Sequence, residues 1–266
     1  MSNKAGGVDA PADGTHSFGP HRAASAARTA VVWDTLRSIL TGLGPESDAP
    51  LEIVDAGGGT GGAAVPLAEL GHHVTVVEPS PDSLAALERR AAEAGVRVRA
   101  LQGETRDLPE LLPPEHAHVV LVHNVLEYVD DPLSALADVV GITRPGGAVS
   151  LLATNAVAGA LHRALAGHID EAQRLLGDSE GRWGEGDPMP RRFTVGQLVE
   201  LTEQAGLTGP TVRGVRVFAD LLPGRVFEGE QQIGRQLVEL EKTAAEHPAL
   251  SGIATQLHVI AYRPRD

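Results

Sequence analysis

The sequence predicts a doubly wound α/β domain on a seven-stranded, mostly parallel sheet, with a helical cap inserted beside its carboxyl edge. Three observations predict it. Apolar, β-branched runs alternate with stretches of helical periodicity from residue 51 to residue 154. A glycine-rich turn follows the first of these runs, at Gly57–Gly62. The alternation then breaks once, after Thr154, and resumes with one helix and two further strand runs. Strand–helix–strand alternation calls for crossover connections, which place helices on both faces of a parallel sheet.

The elements follow in order. Residues 1–17 hold no recurring apolar position and read as a disordered tail, leaving 18–266 as a single domain. From Ala23 to Leu43, the residues Ala27, Val31, Val32, Leu36, Ile39 and Leu40 recur at helical spacing, and the helix stops at Gly42 and Gly44. Leu51–Asp55 is a short strand ending in an acid, Gly62–Leu70 a helix, and His73–Glu78 a second strand ending in an acid. Pro81–Ala94 is a helix entered through Ser80. Val96–Leu101 and the fully apolar Ala117–His123 are strands, Asp131–Gly141 is a helix, and Ala148–Thr154 is a strand. Residues 155–192 carry helical stretches and then the Gly-, Asp- and Pro-rich segment Gly177–Pro190, which reads as the cap. The helix Val195–Ala205 and the strands Val212–Phe218 and Gln256–Arg263 complete the sheet, and 224–250 reads as helical and exposed.

Composition bounds the function. At 266 residues, one α/β domain with an insertion accounts for the whole length. Aromatic residues make up only 3%, so the core must rest on Ala, Val and Leu. A net charge of -13 repels a phosphate backbone at long range, which excludes a broad nucleic-acid surface but leaves room for a local basic patch docking one stem-loop. The absence of cysteine excludes disulfides, thiolate zinc, cysteine nucleophiles and cysteine-held iron–sulfur clusters. His72-His73 and His116-x-His118 lack a third ligand at useful spacing, so no metal is expected. The most apolar stretch, Ala148–Ala166, is broken by Ser150, Thr154, Asn155 and His162, and the start of the chain is polar. No membrane span and no signal peptide are expected, and the cytoplasm is the expected compartment.

The central signal is Val54-Asp55-Ala56-Gly57-Gly58-Gly59-Thr60-Gly61-Gly62, with five glycines in six positions directly after a strand. Glycines there let the backbone approach a ligand closely. Gly57, Gly59 and Gly62 satisfy the dinucleotide fingerprint, and Asp55, Gly57, Gly59 and Gly61 satisfy an acid-x-G-x-G-x-G pattern. Glu78 closes the second strand about 20 residues on, where an acid bonds a ribose diol. That fits NAD and S-adenosylmethionine (SAM) equally. Asp55, two residues before the first glycine, leans towards SAM.

Gly103-Glu104-Thr105-Arg106-Asp107-Leu108, His123-Asn124-Val125-Leu126-Glu127-Tyr128-Val129 and Thr143-Arg144-Pro145-Gly146-Gly147 complete the pattern over roughly residues 50–155. In these segments the chain resembles the class I SAM-dependent methyltransferases, which implies their Rossmann-like fold ending in an antiparallel hairpin. Further pieces are similar to one narrower group, the bacterial tRNA methyltransferases that esterify 5-carboxymethoxyuridine at the wobble position. They are Arg28 and Trp33, Asn155-Ala156 with His162, Ala166-Gly167, Asp170, Gly214-Val215-Arg216-Val217-Phe218, and His258-Val259. The resemblance implies SAM contacts from Arg28, Asp55, Gly57, Gly58, Gly59, Glu78, Glu104, Thr105, Arg106 and His123. The partner it implies is a tRNA anticodon stem-loop, with a small-molecule acceptor as the alternative. One departure stands out. Where the tRNA group implies a lysine-rich stretch, this chain reads Gly177-Asp178-Ser179-Glu180-Gly181-Arg182-Trp183-Gly184-Glu185-Gly186-Asp187, with only Arg182, Arg191 and Arg192 nearby.

Without a cysteine-held cluster, methyl transfer must be polar. A carboxylate acceptor is ionised at neutral pH and needs no general base, only groups that orient it. Arg216, Asn155 and His162 are the orienting candidates. Arg216 could equally be an edge-strand surface residue, and His162 a packing residue of the cap. An NAD-dependent oxidoreductase and a non-catalytic SAM-binding module are the competing classes.

Overall fold

The computed structural model describes residues 20–43, 49–223 and 231–265, and the side chains of α1 from Thr29 onward. The tail expected at 1–17 and the side chain of Arg28 lie outside the described residues. The elements run α1 (Pro20–Leu43), β1 (Glu52–Ala56), α2 (Ala64–Glu69), β2 (His73–Glu78), α3 (Pro81–Glu93), β3 (Val98–Gln102), α4 (Leu108–Leu111), β4 (Ala117–His123), α5 (Pro132–Ile142) and β5 (Thr143–Thr154). Then come α6 (Ala156–Leu165), α7 (Ile169–Gly177), α8 (Val195–Gln204), β6 (Thr208–Val215), α9 (Gln231–Ala245) and β7 (Gln256–Tyr262).

The seven strands form one sheet in the order β3-β2-β1-β4-β5-β7-β6. All neighbours from β3 to β5 pair parallel, and β7 runs antiparallel between β5 and β6. The doubly wound, mostly parallel architecture and the terminal antiparallel hairpin stand as the sequence predicts. β1, β4 and β5 are apolar on both sides because each face is covered. On one face Ile53, Val76, Val119 and Leu121 pack with Val31, Val32 and Leu36 of α1 and with Leu67 and Leu87 of α2 and α3. On the other, Val54, Val120, Val149 and Val259 pack with Leu108, Leu136, Val139 and Leu198 of α4, α5 and α8.

Local chemistry sets the helix starts. Ser80 Oγ accepts from the Ser83 N–H at 3.2 Å, Asp131 Oδ1 from the Leu133 N–H at 3.0 Å, and Asn155 Oδ1 from the Val157 N–H at 3.0 Å. Thr194 and Gln197 form a capping box at the start of α8. Pro81 and Pro132 occupy first-turn positions, where a missing N–H is harmless.

Two expectations need correction. The strand expected at Val212–Phe218 is β6, Thr208–Val215. It ends early because Arg216 takes a left-handed φ of 62°, after which the N–H groups of Val217, Phe218 and Ala219 turn away from the sheet. The helix expected to be exposed in 224–250 is α9, which packs on α1 and buries Leu237, Glu241, Ala244 and Ala245. Its buried stripe contains a glutamate, which interrupts the apolar periodicity that would have marked it. Glu241 accepts from the Val217 N–H at 2.8 Å, the Phe218 N–H at 2.9 Å and the Ala219 N–H at 2.6 Å. Both corrections therefore have one cause.

Candidate active site

The bend after β1 lies at the carboxyl edge of the sheet. Gly57, Gly59 and Gly61 adopt φ values of 75°, 53° and 79°, which only glycine takes without strain. The bend is pinned by Gly57 N–H to Val77 O at 2.7 Å and Gly61 N–H to Gly58 O at 3.0 Å. A Cβ at Gly57 would run into the Val125 side chain, and one at Gly58 would lie 2.6 Å from the Asp55 carboxylate. The loop is therefore packed tightly at Gly57 and Gly58, while Gly59 has open space where a side chain would stand.

Two acids fix and charge this loop. Glu78 Oε2 accepts from the Gly59 N–H at 3.1 Å and Oε1 from the Ser80 N–H at 3.1 Å, so its carboxylate sits at the junction of the glycine bend and the end of β2. Asp55 lies beneath the loop, 3% exposed. Burial, reinforced by the negative charge of Glu78, pushes the Asp55 carboxyl up to about 7.

A cavity of about 580 Å3 opens against this edge, lined among others by Gly57, Glu78, Glu104, Thr105, Arg106, Asn124, Val125, Tyr128, Ser134 and Asp138. Thr105 is buried in a single 3-10 turn that Glu104 and Asp107 close by reciprocal capping. Arg106 is mostly exposed and pairs with Glu104 at 3.0 Å. Five of the expected cofactor contacts, Gly57, Glu78, Glu104, Thr105 and Arg106, thus meet around one cavity. Gly58, Gly59 and Asp55 do not line it; Asp55 abuts Gly58, and the Gly59 N–H is held by the lining residue Glu78. His123 does not line it. Its Nε2 lies 2.9 Å from Ser150 Oγ, which is 2.8 Å from Nε2 of the buried His258. Loss of hydration pushes His123 down to about 4, so the ring is neutral at physiological pH.

The acceptor candidates are distributed differently. Arg216 sits just past β6 at the same carboxyl edge, with Nη1 3.3 Å from Asp220 Oδ2. His162 is half-buried on α6. Asn155 is fully buried, and its amide is committed: Nδ2 donates to Gly252 O and Ala254 O, both at 2.8 Å, while Oδ1 caps α6. The cap arginines are committed too. Arg192 makes a two-point pair with Asp187 at 2.6 and 3.0 Å, and Arg191 donates to Val129 O at 2.9 Å. Asp187 also accepts from the Trp183 and Met189 N–H groups, and Asp178 from those of Glu180 and Arg182. The acids in the cap loop therefore fold the loop.

Sequence reasoning did not assign the lining residues Asn124, Ser134 and Asp138 to the site, nor Gln256, which bonds to Asn124. Asn124 carried a usable signal, an asparagine directly after a strand, where a left-handed residue is common; its φ is 57°. The others come from α5 and the start of β7, which no local pattern links to the glycine bend. Among the described residues, no helix is long and apolar enough to cross a membrane, and no group of three or more metal-ligating side chains is assembled.

Comparison with known proteins bears on the family of the chain. Residues 54–151 match the family described as Methyltransferase domain. The tRNA 5-carboxymethoxyuridine methyltransferase of Escherichia coli O157:H7 is 31% identical over 240 residues, covering 90% of this chain and 88% of that protein. The ubiquinone biosynthesis O-methyltransferase of Azorhizobium caulinodans is 30% identical over 62% of this chain and 64% of that protein. Among solved structures, an S-adenosylmethionine dependent methyltransferase from Mesorhizobium loti aligns with a TM-score of 0.56 at 19% identity, over 90% of this chain and 100% of that one. The Haemonchus contortus phosphoethanolamine N-methyltransferase 2, solved with S-adenosyl-L-methionine, aligns with a TM-score of 0.56 at 18% identity, over 87% and 53%. With the glycine bend, the acid closing β2 and the strand order in place, the chain belongs to the class I SAM-dependent methyltransferases, in the group of the bacterial tRNA 5-carboxymethoxyuridine methyltransferases.

Proposed function

We propose that this enzyme esterifies the carboxylate of 5-carboxymethoxyuridine at the wobble position of a tRNA anticodon stem-loop. The observation that carries this reading is the extent of the likeness to the Escherichia coli enzyme of that name. It runs over 90% of the chain and so takes in more than the 54–151 core that methyltransferases share. Residues 18–266 act as one domain in this reading, and 155–192 forms the cap over the acceptor.

The residues at the bend fit SAM. A ligand without phosphate needs close backbone approach, which a bend free of side chains at Gly57–Gly59 allows. Glu78 offers a ribose diol its carboxylate, and Glu104, Thr105 and Arg106 border the adenine. Arg28 is assigned to the cofactor by resemblance, and His123 supports the methionine end through the end of β4. Asp55, held near neutrality by burial, gains its charge most readily when a cationic ammonium sits beside it. SAM supplies a methyl group activated by its sulfonium.

The chain's own task is then positioning. The acceptor carboxylate is ionised and needs no general base, so what the residues would supply is its orientation in line with the methyl group that bound SAM would donate. Arg216 and His162 orient that carboxylate. Asn155 acts on it through the cap hinge, because its amide braces the start of α6.

The test is incubation with methyl-labelled SAM and an anticodon stem-loop carrying 5-carboxymethoxyuridine. Alkali-labile label on the RNA is expected, as for a methyl ester. Label appearing only in a small-molecule extract would move the acceptor out of tRNA.

A further inference from the structure

Beyond the cofactor residues, the cavity mouth holds two features that the reaction above does not use. Asn124 lines the cavity in a left-handed conformation, its N–H held by Leu152 O at 2.7 Å. Its side-chain amide bonds to that of Gln256, the first residue of β7. Tyr128 lines the same cavity and is 62% exposed, an aromatic face left open at the rim.

The amide pair has a defined remaining capacity. Gln256 Nε2 donates to Asn124 Oδ1, which leaves the Asn124 amino group, Nδ2, and the Gln256 carbonyl oxygen, Oε1, outside that bond. Exchanging oxygen and nitrogen in both amides leaves the same outcome, an amino group on one residue and a carbonyl oxygen on the other. A flat ring with an adjacent N–H and carbonyl is the complement of that pair. A pyrimidine nucleobase presents this edge through N3 and its exocyclic group. An exposed tyrosine is the platform on which such a ring stacks. No charge is needed for either contact, which suits a chain of net charge -13.

We infer that Asn124 and Gln256 together read the Watson–Crick edge of the acceptor pyrimidine while Tyr128 stacks on its face. This rests on the proposed uridine acceptor and adds the residues that select it. The left-handed backbone of Asn124 then has a purpose, since it turns the chain at the end of β4 so that this residue meets the start of β7.

The experiment measures initial rates and SAM affinity with two stem-loops, one carrying 5-carboxymethoxyuridine and one carrying its N3-methyl derivative. Wild type is expected to show a KM at least about 10-fold higher for the N3-methyl RNA, the discrimination typical of a two-point base contact. Gln256→Leu is expected to raise the KM for the ordinary RNA by roughly 10-fold and to abolish the discrimination, with SAM affinity unchanged. Tyr128→Ala is expected to raise KM by roughly 5- to 100-fold, and Tyr128→Phe to restore it. Equal rates of wild type on both RNAs would overturn the inference alone, as would persistent discrimination in Gln256→Leu. A parallel loss of SAM affinity, or a Phe variant as poor as Ala, would also overturn it. Failure of wild type to label either RNA would remove the tRNA acceptor and this inference with it.

Discussion

Asp55→Asn separates what the buried acid does for the fold from what it does for the cofactor. The Asp55 carboxyl stands at about 7 in the folded chain against 3.8 when solvated, with burial the larger cause and the Glu78 charge the smaller. At ~1.4 kcal/mol per pH unit, that interval corresponds to about 4 kcal/mol. Its sign follows from proton binding. Between the two values the folded chain holds a proton that the unfolded chain has lost, so this group's contribution is fully present below about pH 4. It declines as pH rises through the interval and levels off above about 7. Asparagine mimics the protonated acid at every pH. The stability of Asp55→Asn relative to wild type should therefore grow with pH, reaching an upper limit of about 4 kcal/mol by pH 8. In a domain of this size that corresponds to a Tm gain of roughly 10 °C. Urea and thermal unfolding of both proteins at pH 5, 6, 7 and 8, at one ionic strength and without ligand, would measure it. The same variant should bind SAM more weakly. Parallel stability curves for the two proteins across this range would refute the reasoning, because the burial cost would then be absent.

The other predictions follow from single contacts. Gly57→Val should abolish SAM binding in calorimetry while leaving a folded chain by circular dichroism, since the new side chain collides with Val125 and φ is 75°. Arg192→Ala strands the Asp187 carboxylate, whose side chain is 0% exposed, and should lower unfolding stability by about 3–5 kcal/mol with little change in SAM affinity. Arg216→Ala should reduce turnover more than SAM affinity in steady-state kinetics, and an equal loss in both would move this residue to the cofactor site. Glu241→Gln halves the acceptor capacity facing three backbone N–H groups and should cost about 1–3 kcal/mol in urea unfolding.

Legibility varied along the chain for physical reasons. His73–Glu78 and Ala117–His123 are strands at the expected residues because β-branched runs bounded by polar turns have no competing helical reading. The glycine bend and Glu78 were legible for a similar reason: backbone conformation at Gly57, Gly59 and Gly61 is a local property. β6 and α9 were misjudged together. The contact that ends one and buries the other, Glu241 on residues 217–219, spans more than 20 positions and joins a charged side chain to backbone. The cap acids show the same limit, since net charge could not tell that Asp178 and Asp187 face inward to N–H groups.

By itself, then, the sequence determined the alternating architecture, the glycine bend after β1 and the absence of thiol chemistry, because periodicity, glycine content and composition act locally or in sum. Tertiary structure alone decided which of these distant groups meet. It brought Gln256 to Asn124 across 132 positions, withdrew Asn155 and His123 into hydrogen bonds with neighbouring strands and loops, and enclosed Arg192 with Asp187. Such partnerships depend on strand order and on competition for buried polar partners, neither of which a linear pattern records.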